Sequence, residues 1–161
     1  MGRVSADLLR HAVTDPEVIA RYRNRIVTVP GSGCSWWTGA IAGRGHGRVW
    51  VGRGRVIIAH RLAMALAWGP DAAAAVQVGG HRCDNPLCQR VHPGHVVASS
   101  YEENRREWVA RRDLAGSPLG DPRVARRRAR ELRDLARRDP ALVAADLARL
   151  RALYGEQLLL W

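Results

Sequence analysis

The chain has no lysine and no phenylalanine among its 161 residues. All 26 of its basic residues are arginine, and against 15 acids they leave a formal net charge of +11. A chain so basic is a poor match for cationic partners and points to a polyanion, with nucleic acid first. The abundance of Ala, Gly and Val alongside arginine fits a GC-rich coding sequence, so the missing lysine carries no function of its own. No apolar run approaches the ~20 residues that a membrane span needs. The opening M-G-R-V-S-A-D-L-L-R-H lacks the continuous apolar core of a secretory signal, and the expected location is the cytoplasm. Cysteine is scarce: three residues, an odd number that suits a disulfide framework poorly. In a reducing compartment, closely spaced Cys and His read as metal ligands instead.

The hydrophobic content, 47%, is enough to build a core, and the length suits one domain with an extension. Residues 1–33 read as a helical lead-in, with Asp15-Pro16-Glu17 as a helix start continued by Val18–Arg25 and broken at Pro30-Gly31-Ser32-Gly33. From Cys34 the pattern is an antiparallel meander, with strands over Arg48–Val51 and Arg55–Ile58 between glycine turns. Residues 59–68 change period and predict a short buried helix, stopped by Gly69-Pro70. A short strand at Val76–Val78, a Cys/His-rich loop and a strand at His95–Ala98 follow. Ser99 or Ser100 then caps a helix running to about Arg112. A linker at 116–120 leads to two helices, 122–138 and 140–154, split at Asp139-Pro140. The expected fold is α+β: a small antiparallel β meander and a ββα finger, with helices at either end. The expected units are 1–33, 34–115 and 121–161.

The informative stretch is G-H-R-C-D-N-P-L-C-Q-R-V-H-P-G-H from Gly80 to His95, followed by a helix carrying Asn104. Upstream stand C-S-W-W-T-G-A from Cys34 and A-H-R at residues 59–61. Taken in order, these motifs resemble the HNH endonucleases, in the phage and mobile-element branch whose pattern reads roughly H-x-C-D-N-P-x-C-V-N-P-x-H. The resemblance covers about residues 34–112. It implies a ββα-metal finger that cuts DNA, with His81 as general base and Asn104 presented to a catalytic cation, Mg²⁺ or Mn²⁺. It gives His95 one of two tasks, supporting His81 or ligating zinc. The chemistry is coherent. Phosphodiester hydrolysis needs an activated water, which a neutral histidine can supply, and relief of charge on the leaving oxygen, which a divalent cation can supply. Two departures stand out. The loop has two extra residues, with His92 where the pattern has Asn. Gly80 occupies a position where many members carry a metal-binding side chain, which leaves Asn104, phosphate, water and Asp84 to hold the cation.

Cys83-x4-Cys88 is close to zinc-knuckle spacing, and Cys34 lies in the upstream motif. A structural zinc on Cys34, Cys83 and Cys88, with His95 or His92 as fourth ligand, is expected. His60 reads as a buried, hydrogen-bonded helix residue, with zinc ligation as its alternative; His46 and His11 receive no role. Trp36, Trp37 and Trp50 read as core, and Trp68 and Trp108 as helix packing. Segment 34–70 has five arginines and no acid, and 121–161 has ten against six acids. Arg44, Arg48, Arg53, Arg55, Arg82, Arg105, Arg126, Arg127 and Arg128 are the expected contacts to double-stranded DNA. Gln157, Leu158, Leu160 and Trp161 lie in Q-L-L-L-W, which looks like the pentapeptide that bacterial proteins dock on the replication sliding clamp.

Overall fold

The structure is a computed structural model that describes residues 4–112, 114, 119, 121 and 123–154. Its architecture is α+β, as the sequence predicts, with small antiparallel sheets among helices. Helix α1 (Ala6–Thr14) leads into α2 (Pro16–Arg23). The expected start of α2 is built as read: Asp15 accepts from the amides of Glu17 and Val18 at 2.9 and 3.2 Å, and Pro16 opens the first turn.

The lead-in then departs from expectation. Ile26–Thr28 is a strand, β1, paired with β2 (Ser35–Trp37) so that Val27 faces Trp36. The Pro30–Gly33 break is therefore a hairpin loop inside one sheet. Three residues are too few to show a period, so only the partner strand reveals β1.

Strand β2 carries two tryptophans, each 2% exposed. Trp37 stacks on Tyr22 with ring centroids 5.7 Å apart. It lies in a slot between Gly39 and Gly47, where a Cβ at either position would collide with the indole. The meander is β3 (Ala40–Ala42), β4 (His46–Trp50) and β5 (Val56–Ile58), in that spatial order. Helix α3 covers Ala59–Trp68, as expected, and a short α4 (Pro70–Ala75) follows that the sequence reading left out. The finger itself is β6 (Val78–His81), β7 (Val96–Ser99) and α5 (Tyr101–Arg112). A reciprocal cap starts α5: Glu103 N–H donates to Ser100 Oγ at 3.1 Å, and Ser100 N–H donates to Glu103 Oε2 at 2.9 Å.

The two C-terminal helices are α6 (Ala125–Arg138) and α7 (Pro140–Tyr154), divided at the expected Asp139-Pro140. Helix α6 buries a stripe of Arg128, Ala129, Leu132 and Ala136. Ala129 presses on the turn before β4, where a Cβ on Gly45 would lie 2.9 Å from its own. Arg137 donates to the Thr38 carbonyl. The basic helix is thus docked on the meander.

Three tryptophans differ from their reading as packing residues. Trp50, Trp68 and Trp108 are each more than two-fifths exposed, and arginines cover two of them: Arg21 over Trp50 and Arg112 over Trp108. Among the described residues no helix is long and apolar enough to cross a membrane.

Candidate metal centres

The loop between β6 and β7 is zipped onto β2 by backbone hydrogen bonds. Gln89 N–H donates to the Ser35 carbonyl at 2.8 Å, and Trp37 N–H to the Leu87 carbonyl at 2.9 Å. Inside the loop, Asn85 Oδ1 accepts from Leu87 N–H at 3.0 Å, an Asx turn that swings Cys88 back toward Cys83. The result brings Cys34, Cys83, Cys88 and His95 together, with all four donor atoms within 4.8 Å of one another. Cys34 Sγ lies 3.5 Å and Cys88 Sγ 3.7 Å from His95 Nδ1. With bonds of about 2.3 Å to sulfur and about 2.0 Å to nitrogen, neighbouring donors on a tetrahedral ion stand roughly 3.4–3.8 Å apart. The group therefore fits a four-coordinate metal ion. As thiols the three compete for one negative charge. Hydrogen bonds from Cys34 and Cys83 hold the Cys88 thiol well below the usual thiol range. Contacts with Cys34 and Cys88, with burial, push Cys83 far up.

This placement decides several alternatives. His95, not His92, completes the group. His92 is exposed, and its Nδ1 accepts from Gly94 N–H at 3.2 Å within its own turn. His95 is also not the residue that supports His81, since its ring faces the sulfurs. Asp84 has Oδ1 engaged by Arg111, while its Oδ2 is buried with no hydrogen-bond partner among the described residues. It is buried in an ion pair with Arg111, 3.1 Å from Asp84 Oδ1 to Arg111 Nη2. Burial raises its carboxyl to about 6 against the opposing charge of Arg111.

His81 ends β6, and its nearest functional neighbours are His60, buried and hydrogen-bonded in α3 as expected, and His46 of β4, which the sequence reading gave no role. His81 Nε2 stands 3.2 Å from His60 Nδ1, with the rings perpendicular. His46 of β4 closes the group, its ring centroid 5.4 Å from that of His60 and 5.7 Å from that of His81. The three donor atoms again lie within 4.8 Å. Glycine makes the approach feasible: a Cβ at Gly79 would lie 2.7 Å from His60 Cδ2. Burial, with the neighbouring imidazoles, holds His60 well below the usual histidine range and His81 at about 3. Burial and the charges of Arg48 and Arg44 also lower His46. All three rings are neutral at pH 7.

Asn104 serves the other face of the finger. Side chains alternate along a strand, so Gly80 points away from His81 and Gly79. A Cβ at Gly80 would meet Asn104 Oδ1 at 3.4 Å. Asn104 therefore offers one oxygen beside β6.

The arginines sort by exposure. Arg44, Arg53, Arg55, Arg105 and Arg126 are exposed, as is Arg127, which pairs with Glu131 at 2.9 Å. Arg48 is half-buried, and Arg82 pairs with Glu107 at 3.6 Å. Arg128 is a correction: it is 7% exposed in the α6 interface, facing Asp121 and Asp84, and is not a surface contact. The peptide Gln157, Leu158, Leu160 and Trp161 lies outside the described residues.

No protein-family model matches the chain, and no solved structure matches it. The chain is 31% identical over 87 residues to "Protein 7.7" of Escherichia phage T7. That match takes in 53% of this chain and 63% of the relative, so the chain spans less than two thirds of the phage protein's length.

Proposed function

We propose that the chain is a metal-dependent DNA endonuclease of the HNH kind. The observation that carries the reading is the β6–β7–α5 finger, which sets His81 at a strand end and Asn104 over the adjacent Gly80. The Cys34–Cys83–Cys88–His95 group would hold a structural zinc that pins the loop beside His81. His81 would activate water, and His60, 3.2 Å away, would orient its ring. A divalent cation, Mg²⁺ or Mn²⁺, would take charge from the leaving oxygen. The protein would contribute Asn104 to it, with phosphate and water as the other ligands. Exposed Arg44, Arg53, Arg55 and Arg126 would hold the DNA backbone.

Specific observations favour a second reading, a zinc-stabilised DNA-binding module that does not cut. Gly80 offers no ligand, and a histidine held at about 3 is a weak proton acceptor. Plasmid nicking with Mg²⁺ or Mn²⁺, wild type against His81→Ala, separates the two. Cutting by wild type that His81→Ala abolishes supports the nuclease. DNA binding without nicking in any divalent metal supports the module. The Q-L-L-L-W peptide is proposed to dock on a bacterial sliding clamp. A pull-down indifferent to truncation after Glu156 would overturn that.

A further inference from the structure

We propose that His46, His60 and His81 form a second metal centre, which takes a borderline divalent transition ion such as Zn²⁺ on three imidazoles and leaves one position for an oxygen ligand. A hydrogen-bonded histidine pair would account for His60 and His81 alone. It does not account for the third imidazole, brought from β4 to the same point.

The geometry suits an ion. Neighbouring nitrogens on a tetrahedral zinc stand roughly 3.3 Å apart, given bonds of about 2.0 Å. His60 Nδ1 and His81 Nε2 are 3.2 Å apart. The donors come from three elements, β4, α3 and β6, each fixed by packing, so the site is preorganised. Gly79 is what lets α3 bring His60 onto β6, because any Cβ there would strike the ring.

The donor set selects the ion class. Three neutral nitrogens and no carboxylate suit Zn²⁺, Ni²⁺, Co²⁺ or Cu²⁺, whereas Mg²⁺ and Ca²⁺ want oxygen. Three neutral ligands leave the ion's full charge in place, and the positive charges of Arg44, Arg48 and Arg61 also act on the triad. An anionic fourth ligand, hydroxide or a phosphate oxygen, answers both charges. The centre does not rest on the cutting reading. An ion on His81 occupies the lone pair that a general base needs, so the centre goes with the non-cutting reading of the chain and not with the one in which His81 activates water.

The test is a metal count on the full chain. Protein dialysed to equilibrium against Co²⁺ is expected to hold two equivalents by elemental analysis. One gives the intense near-ultraviolet thiolate charge-transfer band of the cysteine group; the other adds only weak visible bands. His46→Ala and His60→Gln are each expected to fall to one equivalent with the thiolate band intact. Wild type whose bound Co²⁺ is all accounted for by the thiolate band would overturn the proposal, as would an equivalent outside that band retained in a folded His46→Ala. Should the buried His60→Gln fail to fold, as judged by far-ultraviolet circular dichroism, the half-buried His46 variant and the wild-type count decide.

Discussion

Asn104 closes over Gly80, so that a methyl group at position 80 would stand 3.4 Å from its Oδ1. Its other nearest contacts would be Ser99 Cβ at 3.3 Å and Val97 Cγ2 at 3.6 Å. The helix thus presents an amide oxygen where the strand presents nothing. A carboxylate placed there would pair with that oxygen to bind a hard cation. Gly80→Asp is therefore expected to raise Mg²⁺-dependent plasmid nicking at least tenfold over wild type. Equal rates at saturating Mg²⁺ would show that the Asn104 side of the finger is not where the cation acts.

Metal removal tests the cysteine group. Binding free energy at such a site is folding free energy, on the order of 10 kcal/mol for structural zinc. Chelation is expected to lower the melting temperature sharply, and Cys88→Ser to do so without chelator. Purified protein that holds no metal, with a melting curve indifferent to chelator, would contradict a structural ion on Cys34, Cys83, Cys88 and His95.

Trp37 depends on two missing side chains. Gly47→Ala puts a methyl into the indole, and overpacking of this kind costs about 1–3 kcal/mol. Gly43→Ala meets open space and suffers only its left-handed backbone, φ +57°, a cost of about 1 kcal/mol. Urea midpoints should rank Gly43→Ala above Gly47→Ala.

Asp121 ties α6 to the acid range. Burial alone would raise its carboxyl, but hydrogen bonds from the Arg123 side chain and backbone, with the Arg123 charge, hold it below the usual range. Arg123 reaches it at 2.6 Å and also contacts Glu131 and Asp146. A depressed carboxyl stabilises the fold above its unfolded pKa of about 3.9, and that contribution fades as pH falls through the lower folded value. Between pH 5 and pH 2 (about one unit above the unfolded pKa and about two below it), wild type should lose more stability than Asp121→Asn. Parallel denaturation curves across that window would refute the assignment.

Exposure separates the arginines functionally. Arg53→Ala, Arg55→Ala and Arg126→Ala should each reduce the slope of log affinity against log salt by about 1 on double-stranded DNA. Buried Arg128→Ala should instead lower stability and leave the slope alone. Anisotropy titrations at several salt concentrations measure both.

What this sequence settles by itself is local. Asp15-Pro16, Ser100 with Glu103, and Asp139-Pro140 each mark a helix boundary within a few residues, because a cap or a proline acts on the turn beside it. Cys83 and Cys88 announce a ligand loop for the same reason of short spacing. Packing decided the rest. β1 exists because Val27 finds Trp36, and its three residues carry no signal of their own. His95 was chosen over His92 by the turn that spends the His92 ring on Gly94. Asp84 meets Arg111, 27 residues away, only in the folded chain. Arg128 reads as one more charge on a basic helix until α6 docks and buries it. The histidine triad is the clearest case. His46 stands apart along the chain from the motifs that carry His60 and His81, and only the meeting of β4, α3 and β6 gives the three a common point. Donor convergence depends on where elements cross, and crossings are set by the packed core and not by neighbours in sequence.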